Sequence, residues 1–404
     1  MKDKVFFEGL MTEATICSYC GYCRSVCPTY AGVGWESCSP RGRLNLIRML
    51  LEGKPLTADQ MKRLYQCTLC GHCTQVCSTR IDLRQFWLEA RKQTVARELS
   101  PPEFATTLDN IARTGNIYNY QNDERAGWVE YMDDPPADLY QRDRAEVVYF
   151  VGCLSSFSPR TQRIAESFVH VLNAVGVDFT ILGEGEVCCG YPLLAAGMHD
   201  ETQKVIEQNL ERVRATGATT IVFNCPACRV MWLEQYARHL PGVRMLHSTE
   251  LLADLAAAKQ LPMKDVNRIV TYHDPCDLAR NGGVYDAPRE VLAAIPGLQF
   301  VEVHERRERG LCCGGGGDLE MIDTALCGHV AAQTVRKLLV TGAQTIVTAC
   351  PQCVRMLTRG TEQTAPDVSV KDILELVAET LDRPLKKSQD EAVQKCPDAR
   401  HPKF

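Results

Sequence analysis

The chain has 404 residues, a formal charge of -5 and 21 cysteines. That length holds two or three domains with cores of their own, so the cysteines are not needed as the disulfide scaffold of a small secreted chain. The mild acidity gives no signal for nucleic acid. No stretch approaches the roughly 18 apolar residues of a membrane span. Met1 to Tyr19 has only the short run Val5-Phe6-Phe7, closed by Glu8, in place of a secretory core. The thiols are therefore expected to be reduced and cytoplasmic, with any attachment to the inner face of a membrane made through a partner.

Residues 1–98 carry nine cysteines between helical patterns. Leu44, Ile47, Leu50 and Leu51 predict a helix over Gly42–Leu51, and Leu83, Phe86, Leu88 and Val95 another over Ile81–Leu99. Thr57, followed by Asp59-Gln60, caps a helix running into Cys67. Cys17, Cys20, Cys23 and Cys27, then Cys67, Cys70, Cys73 and Cys77, repeat the ferredoxin run C-x2-C-x2-C-x3-C. In two-cluster proteins with this run the fourth cysteine crosses to the neighbouring cluster. One 4Fe-4S cubane is thus expected on Cys17, Cys20, Cys23 and Cys77, and a second on Cys67, Cys70, Cys73 and Cys27. Structural zinc also uses C-x-x-C, but it takes four ligands and has no use for a crossed set of eight. Ser78 replaces the usual proline and is expected to affect only the turn after Cys77. His72 reads as a neighbouring or surface group. Arg41 and Arg43, beside Trp35 and Glu36, read as a partner-facing patch or a merely solvated helix start.

Residues 99–145 are polar, lack cysteine and include Asp133-Asp134-Pro135-Pro136. They read as a partly helical connector wrapped on the surface.

Residues 146–262 and 263–384 are two copies of one module, their landmarks 123 to 125 positions apart. Each copy has three apolar runs. The first, Val147–Val151 or Ile269–Tyr272, ends at a lone cysteine. The second, Phe179–Leu182 or Phe300–Val303, leads to a cysteine pair, and the third, Thr220–Phe223 or Thr345–Thr348, enters Cys-Pro-x-Cys. Helical patterns lie between, including Val205–Val213 and Val330–Leu339. Apolar strands alternating with helices predict a parallel sheet covered on both faces, with the cysteines at strand ends, where open α/β sheets bind ligands. The first set is Cys153, Cys188, Cys189, Cys225 and Cys228; the second is Cys276, Cys312, Cys313, Cys350 and Cys353. Vicinal cysteines make only a strained disulfide, whereas thiolates at this density suit a metal–sulfur cluster. The alternatives are a dithiol or redox-disulfide pair, or a degenerate fold that retains its cysteines for packing.

Gly190 and the run Gly314–Gly317 follow the two pairs. They either bring backbone N–H groups to cluster sulfur or form flexible turns. No dinucleotide or Walker fingerprint occurs, so a flavin or hydride carrier belongs to another subunit. His273 and Asp274 read either as donors toward substrate or sulfur or as strand-end packing. Cys38, Cys327 and Cys396 remain as core or surface thiols, and 385–404 is expected to be a disordered tail.

The repeated pattern, a lone cysteine, Cys-Cys-Gly and Cys-Pro-x-Cys after a crossed eight-cysteine domain, resembles the CCG-domain iron–sulfur family. That family includes heterodisulfide reductase in its fused D-type form and the iron–sulfur subunits of glycolate oxidase, lactate oxidase and anaerobic glycerol-3-phosphate dehydrogenase. The resemblance spans about residues 14 to 380. It implies an α+β multidomain protein: an α-helical ferredoxin domain followed by two α/β CCG domains. It also implies that each five-cysteine set holds a catalytic non-cubane 4Fe-4S cluster, making four clusters that serve thiol/disulfide chemistry. Its alternative is a non-catalytic electron-transfer subunit linking a flavoprotein to a quinone or ferredoxin pool. That flavoprotein would be a 2-hydroxyacid or glycerol-3-phosphate oxidase, or part of a bifurcating or acyl-CoA-reducing complex. Either use implies redox partner subunits, namely a flavoprotein, a membrane b-type cytochrome, or both.

Overall fold

The computed structural model describes residues 8–381, apart from 133, 141 and 143. The N-terminal part is helical as expected. Its main helices are Pro40–Leu51, Ala58–Tyr65 and Leu83–Val95. Each start is fixed by a side chain: Ser39 accepts from the Gly42 N–H, Thr57 and Gln60 form a capping box, and Asp82 accepts from the Gln85 N–H. Leu44, Ile47, Leu64, Phe86 and Trp87 form a core continuous with Val148, Phe150 and Phe223 of the first module.

Each module is a four-stranded, all-parallel sheet. The first holds β1 (Val147–Phe150), β2 (Phe179–Ile181), β3 (Thr220–Phe223) and β4 (Arg244–His247); the second holds β5 (Arg268–Tyr272), β6 (Leu298–Phe300), β7 (Thr345–Thr348) and β8 (Ser369–Asp372). The strand orders are β2-β1-β3-β4 and β6-β5-β7-β8. The chain therefore turns outward after the first strand and returns on the other side to the third. This leaves a topological switch point between β1 and β3, and another between β5 and β7. Strands β4 and β8 escaped the sequence reading. Both are edge strands whose residues alternate between buried and more exposed, so neither shows the continuous apolar run of a central strand. Edge strand β6 lies two residues earlier than its apolar run suggested.

The modules face each other with a pseudo-twofold relation. The first long helix of one module packs on the last helix of the other: Pro159–Ala174 on Ile373–Thr380, and Ala287–Ala294 on Ser248–Ala257. Tyr149, Phe168 and Leu172 share one core with Val270, Tyr272 and Leu374.

The connector is not a surface wrap. Phe104, Ile111 and Trp128 are buried, and Asn122 reaches across to the carbonyls of Glu184 and Glu186. The expected tail, with Cys396, lies outside the described residues, as do the last three residues of the second module's expected span. Among the described residues no helix is long and apolar enough to cross a membrane.

The N-terminal part docks on both modules through Arg91, which is 1% exposed. Its guanidinium donates to the carbonyls of Tyr65 and Cys67 on its own domain, of Ala195 in the first module and of Gly317 in the second. The glycine run makes that approach possible. A Cβ at Gly316 would stand 2.6 Å from the Thr68 carbonyl oxygen, and one at Gly317 would collide with the Cys67 carbonyl. Gly317→Ala is therefore expected to cost more than Gly342→Ala. Both residues have left-handed φ, +60° and +71°, an exchange costing about 1–2 kcal/mol, but Gly342 has open space. Overpacking at Gly317 adds roughly 1–3 kcal/mol, which urea-unfolding midpoints of the two variants would separate.

Candidate functional site

The cysteines gather at the carboxyl ends of the strands. Cys153 lies just past β1, Cys225 follows β3, and Cys350 follows β7. In both Cys-Pro-x-Cys segments the proline occupies the first helical turn, where its fixed φ suits the helix and its missing N–H costs nothing. The first cysteine is thus the N-cap, and the Cys353 N–H points at the Cys350 sulfur, 3.5 Å away.

Each five-cysteine set converges, and the two sets meet. In the first module Cys153 contacts Cys188, Cys188 contacts Cys189, and Cys228 bridges Cys189 and Cys225. In the second, Cys276 contacts Cys312, Cys312 contacts Cys313, and Cys353 links Cys313, at 3.3 Å, to Cys350. Cys225 and Cys350 then join one set to the other across the module boundary. The sulfurs divide their protons. Hydrogen bonds from Cys188 and Cys228 pull Cys189 down to about 6, while donating to Cys189 and Cys225 holds Cys228 well above the usual thiol range.

Between the modules lies a cavity of about 1070 Å³, counting its open mouth, walled by thiols of both sets. Ile117, Leu154 and Met321 supply apolar wall, and the polar lining includes Tyr191, Asp277, Asp318, Glu320, Gln352 and Arg355. Arg355 is paired with Glu320 at 3.3 Å. The buried Oδ2 of Asp318 and the hydroxyl of Tyr191 have no hydrogen-bond partner within the protein.

The eight N-terminal cysteines surround two smaller cavities. Cys17, Cys20, Cys23 and Cys77 line one of about 330 Å³, and Cys27, Cys67, Cys70 and Cys73 one of about 340 Å³. Each cavity thus takes three cysteines of one run and the fourth of the other. Cys20 is exposed, and the Ser78 hydroxyl lies 3.2 Å from its sulfur, drawing its pKa down to about 7. Ser78 thus touches a thiol of the set as well as shaping the turn. Burial pushes Cys23 up to about 11. Arg43 is no surface residue: it is fully buried on the second cavity, and its Nη1 finds no acceptor in the polypeptide. Arg41 stays near the surface, tied to Glu36.

Buried thiols crowded around cavities, with buried cations beside them, fit iron–sulfur clusters: clustered thiolates need positive charge at their centre, and iron provides it.

The second N-terminal set abuts the second module. Cys70, Cys276 and Cys312 form one buried group, with Cys70 hydrogen-bonded to Cys312. Arg280 faces all three, and their negative charge outweighs its burial to raise its pKa. Cys153 has a different companion, Arg125, whose Nη2 donates to its sulfur at 3.7 Å. Sequence reading missed both arginines. Arg125 sits in a segment without cysteine, and a lone arginine carries no pattern.

Other candidates resolve as follows. His273 is buried between the Thr348 hydroxyl and the Leu311 carbonyl, and burial lowers its pKa to about 4. Asp274 is held by Arg289 and the Arg307 N–H. Both are strand-end packing. His72 lines the second N-terminal cavity, its pKa lowered to about 4 by burial. Cys38 and Cys327 are buried core thiols, and Arg63 donates to Cys38 at 3.4 Å. In the glycine run, the Gly314 N–H points at the Cys312 sulfur at 3.4 Å, whereas Gly316 and Gly317 serve docking.

Comparison with known proteins agrees with this geometry. The cysteine-rich domain model, CCG, matches residues 147–232 and 270–358, and a 4Fe-4S dicluster domain model matches 13–81. The D-type component of the dihydromethanophenazine:CoB–CoM heterodisulfide reductase of Methanosarcina barkeri is 32% identical over 396 residues, covering 92% of this chain and 95% of its own. The chain belongs to the CCG-domain iron–sulfur family. It is an iron–sulfur oxidoreductase subunit related to the D-type component of heterodisulfide reductase and to electron-transfer proteins. Among the latter, the EtfAB:quinone oxidoreductase of Syntrophomonas wolfei is 33% identical over 290 residues, covering 69% of this chain and 40% of its own. The probable iron–sulfur-binding oxidoreductase FadF of Bacillus subtilis is 32% identical over 68% of this chain and 40% of its own. A solved structure of a hypothetical protein from Helicobacter pylori shares the fold, with TM-score 0.61 and 9% identity over 95% of this chain and 77% of that one.

Burial raises the Asp318 carboxyl to about 7. A carboxyl raised in the folded state stays protonated there while the unfolded chain ionises, so it costs stability as pH climbs from about 4 to 7. Asp318→Asn keeps a residue that tolerates the left-handed φ of 58°. It is expected to be the more stable protein at pH 8, by roughly 1.4 kcal/mol per unit of displaced titration, and to lose that advantage near pH 4. Melting temperatures across this range check the sign.

Proposed function

We propose that the protein passes electrons from two cubane 4Fe-4S clusters to two non-cubane 4Fe-4S clusters and performs heterodisulfide reductase-like thiol/disulfide chemistry between the modules. The observation that carries this reading is the shared cavity: thiols of both five-cysteine sets wall it, so a disulfide bound there would meet both at once. Cys17, Cys20, Cys23 and Cys77 would hold the outer cubane, and Cys67, Cys70, Cys73 and Cys27 the inner one. Cys153, Cys188, Cys189, Cys225 and Cys228 would hold one non-cubane cluster, and Cys276, Cys312, Cys313, Cys350 and Cys353 the other. When bound, the clusters supply one-electron steps and iron sites with affinity for sulfur.

The chain's own residues do the rest. The exposure of Cys20 supports entry of electrons at the outer set, and the Cys70–Cys312 contact supports their arrival at the second module first. Ile117, Leu154 and Met321 keep the cavity wall dry, and the unpartnered Asp318 and Tyr191 groups can hydrogen-bond a ligand. Reducing a disulfide takes two electrons and two protons, breaks the S–S bond and yields two thiols.

A second reading has support from the similarity to the EtfAB:quinone oxidoreductase and FadF: a non-catalytic subunit that links a flavoprotein to a quinone or ferredoxin pool through a partner such as a b-type cytochrome.

Two measurements test the proposal. Protein purified without oxygen should hold roughly sixteen iron atoms, four clusters of four; a value near eight leaves only the ferredoxin pair. Cys189→Ser should lower the content to about twelve. The loaded protein should also reduce disulfides with reduced viologen as electron donor, and failure with every disulfide tried leaves the electron-transfer reading.

A further inference from the structure

Sheet register makes the two modules comparable residue by residue. Val147 and Tyr149 pair with Thr220 and Val222 in the first sheet, as Val270 and Tyr272 pair with Thr345 and Val347 in the second. The same offset of 123 carries Cys153 onto Cys276 and Phe157 onto Arg280. At this equivalent position the second module has a cation and the first has an aromatic ring.

The second module's arginine is built into the loop after its lone cysteine. Arg280 donates from Nε to the Cys70 carbonyl at 2.8 Å, and its charge faces Cys70, Cys276 and Cys312. Phe157 carries no charge, yet the first module is not left without one. Arg125, from the 3-10 segment Asn122–Tyr131, lies over the Phe157 ring at 5.2 Å and donates to the Cys153 sulfur. The side chains of Arg125 and its partner Glu186 are 2% and 1% exposed, 2.8 Å apart. Glu186 also accepts from the N–H groups of Val151 and Gly152, both at 2.8 Å, so the ion pair is fastened to the loop that carries Cys153.

We propose that Arg125 is a positioning and potential-setting residue for the first five-cysteine set, supplied by the connector in place of the arginine that the second module carries as Arg280. The inference rests on reading both sets as clusters. A buried cation within hydrogen-bond range of a ligand sulfur stabilises the more negative, reduced state and so raises the potential. Arg125, itself paired with Glu186, at the first set and Arg280, whose charge faces Cys276 and Cys312, at the second each oppose thiolate charge, which brings the two sides of the cavity closer in potential.

The test is an anaerobic redox titration of the full-length protein, followed by electron paramagnetic resonance, with iron counted for each variant. Arg125→Gln should move one module signal to lower potential and leave the other in place, and Arg125→Lys should keep the original value. Arg280→Gln should move the other signal. The double variant Arg125→Gln/Phe157→Arg, which puts the guanidinium where the second module has it, should bring the first signal back. Roughly sixteen iron atoms with an unmoved signal in Arg125→Gln would overturn this inference alone; about eight in the unsubstituted protein would overturn the proposed function and this inference together. If Arg125→Gln loses iron, the double variant decides: a full iron complement at the original potential supports the proposal, and one at a lowered potential refutes it. If the double variant also loses iron, Arg280→Gln decides. Its hydrogen bonds run to the backbone carbonyls of Cys70, Glu308 and Gly310, and an unmoved second signal then refutes the shared role.

Discussion

Concentrated negative charge in a dry interior is the constraint on which the rest of this molecule depends. A continuous series of sulfur contacts runs from Cys70 through the second set, across Cys350 and Cys225, to Cys153. As free thiols these groups cannot all ionise, because each charge raises the cost of the next, and the protons are shared unevenly along the series. The surroundings are built to hold more negative charge than free thiols can carry. Arg125 and Arg280 are buried beside it, Arg43 and Arg91 are buried beside the adjoining Cys67, and an arginine keeps its charge when buried where lysine would shed it.

Parallel-sheet topology brings the sulfurs together cheaply. In each module the first and third strands flank the switch point, so cysteines that follow them are neighbours although about 70 residues apart in the chain. Facing the two modules about a pseudo-twofold axis then sets two such points opposite each other, with one cavity between. Arg91 holds the third component in place with four carbonyls from three parts of the chain, each bond to the charged group worth about 1.5–3 kcal/mol. The glycine run gives up side chains at the very surface where the loop of Cys67 to Leu69 has to lie.

What the sequence disclosed and what it hid follow from the same physics. Central strands buried on both faces read as apolar runs, and cysteine spacing reads directly because a cluster fixes how far apart its ligands can be. Three cysteines of one N-terminal run and the fourth of the other line each smaller cavity, and thiols of both five-cysteine sets line the larger one. Strands β4 and β8 were hidden because an edge strand needs only one apolar face. Arg43 was misread as surface because charge ordinarily marks solvent, and here a neighbouring cluster of sulfurs takes the place of water. The connector looked like a wrap for the same reason. Its polarity includes Arg125 and Asn122, which are spent on the interior of the first module.

The two modules cannot be fully alike, and the difference has a geometric origin. A pseudo-twofold pair presents two equivalent faces, but the ferredoxin-like part places its Cys70 against the second module, with Cys276 and Cys312. On that side the docked domain requires Arg280, which binds the Cys70 carbonyl and faces the sulfurs together. On the other side, among the described residues, Cys153 is faced by Arg125 of the connector, and the position equivalent to Arg280 is Phe157. The connector crosses there on its way from the N-terminal helices to β1. It brings Arg125 onto the Phe157 ring and to the Cys153 sulfur. The segment without cysteines thus supplies the first set with the arginine that the second module carries in its own loop.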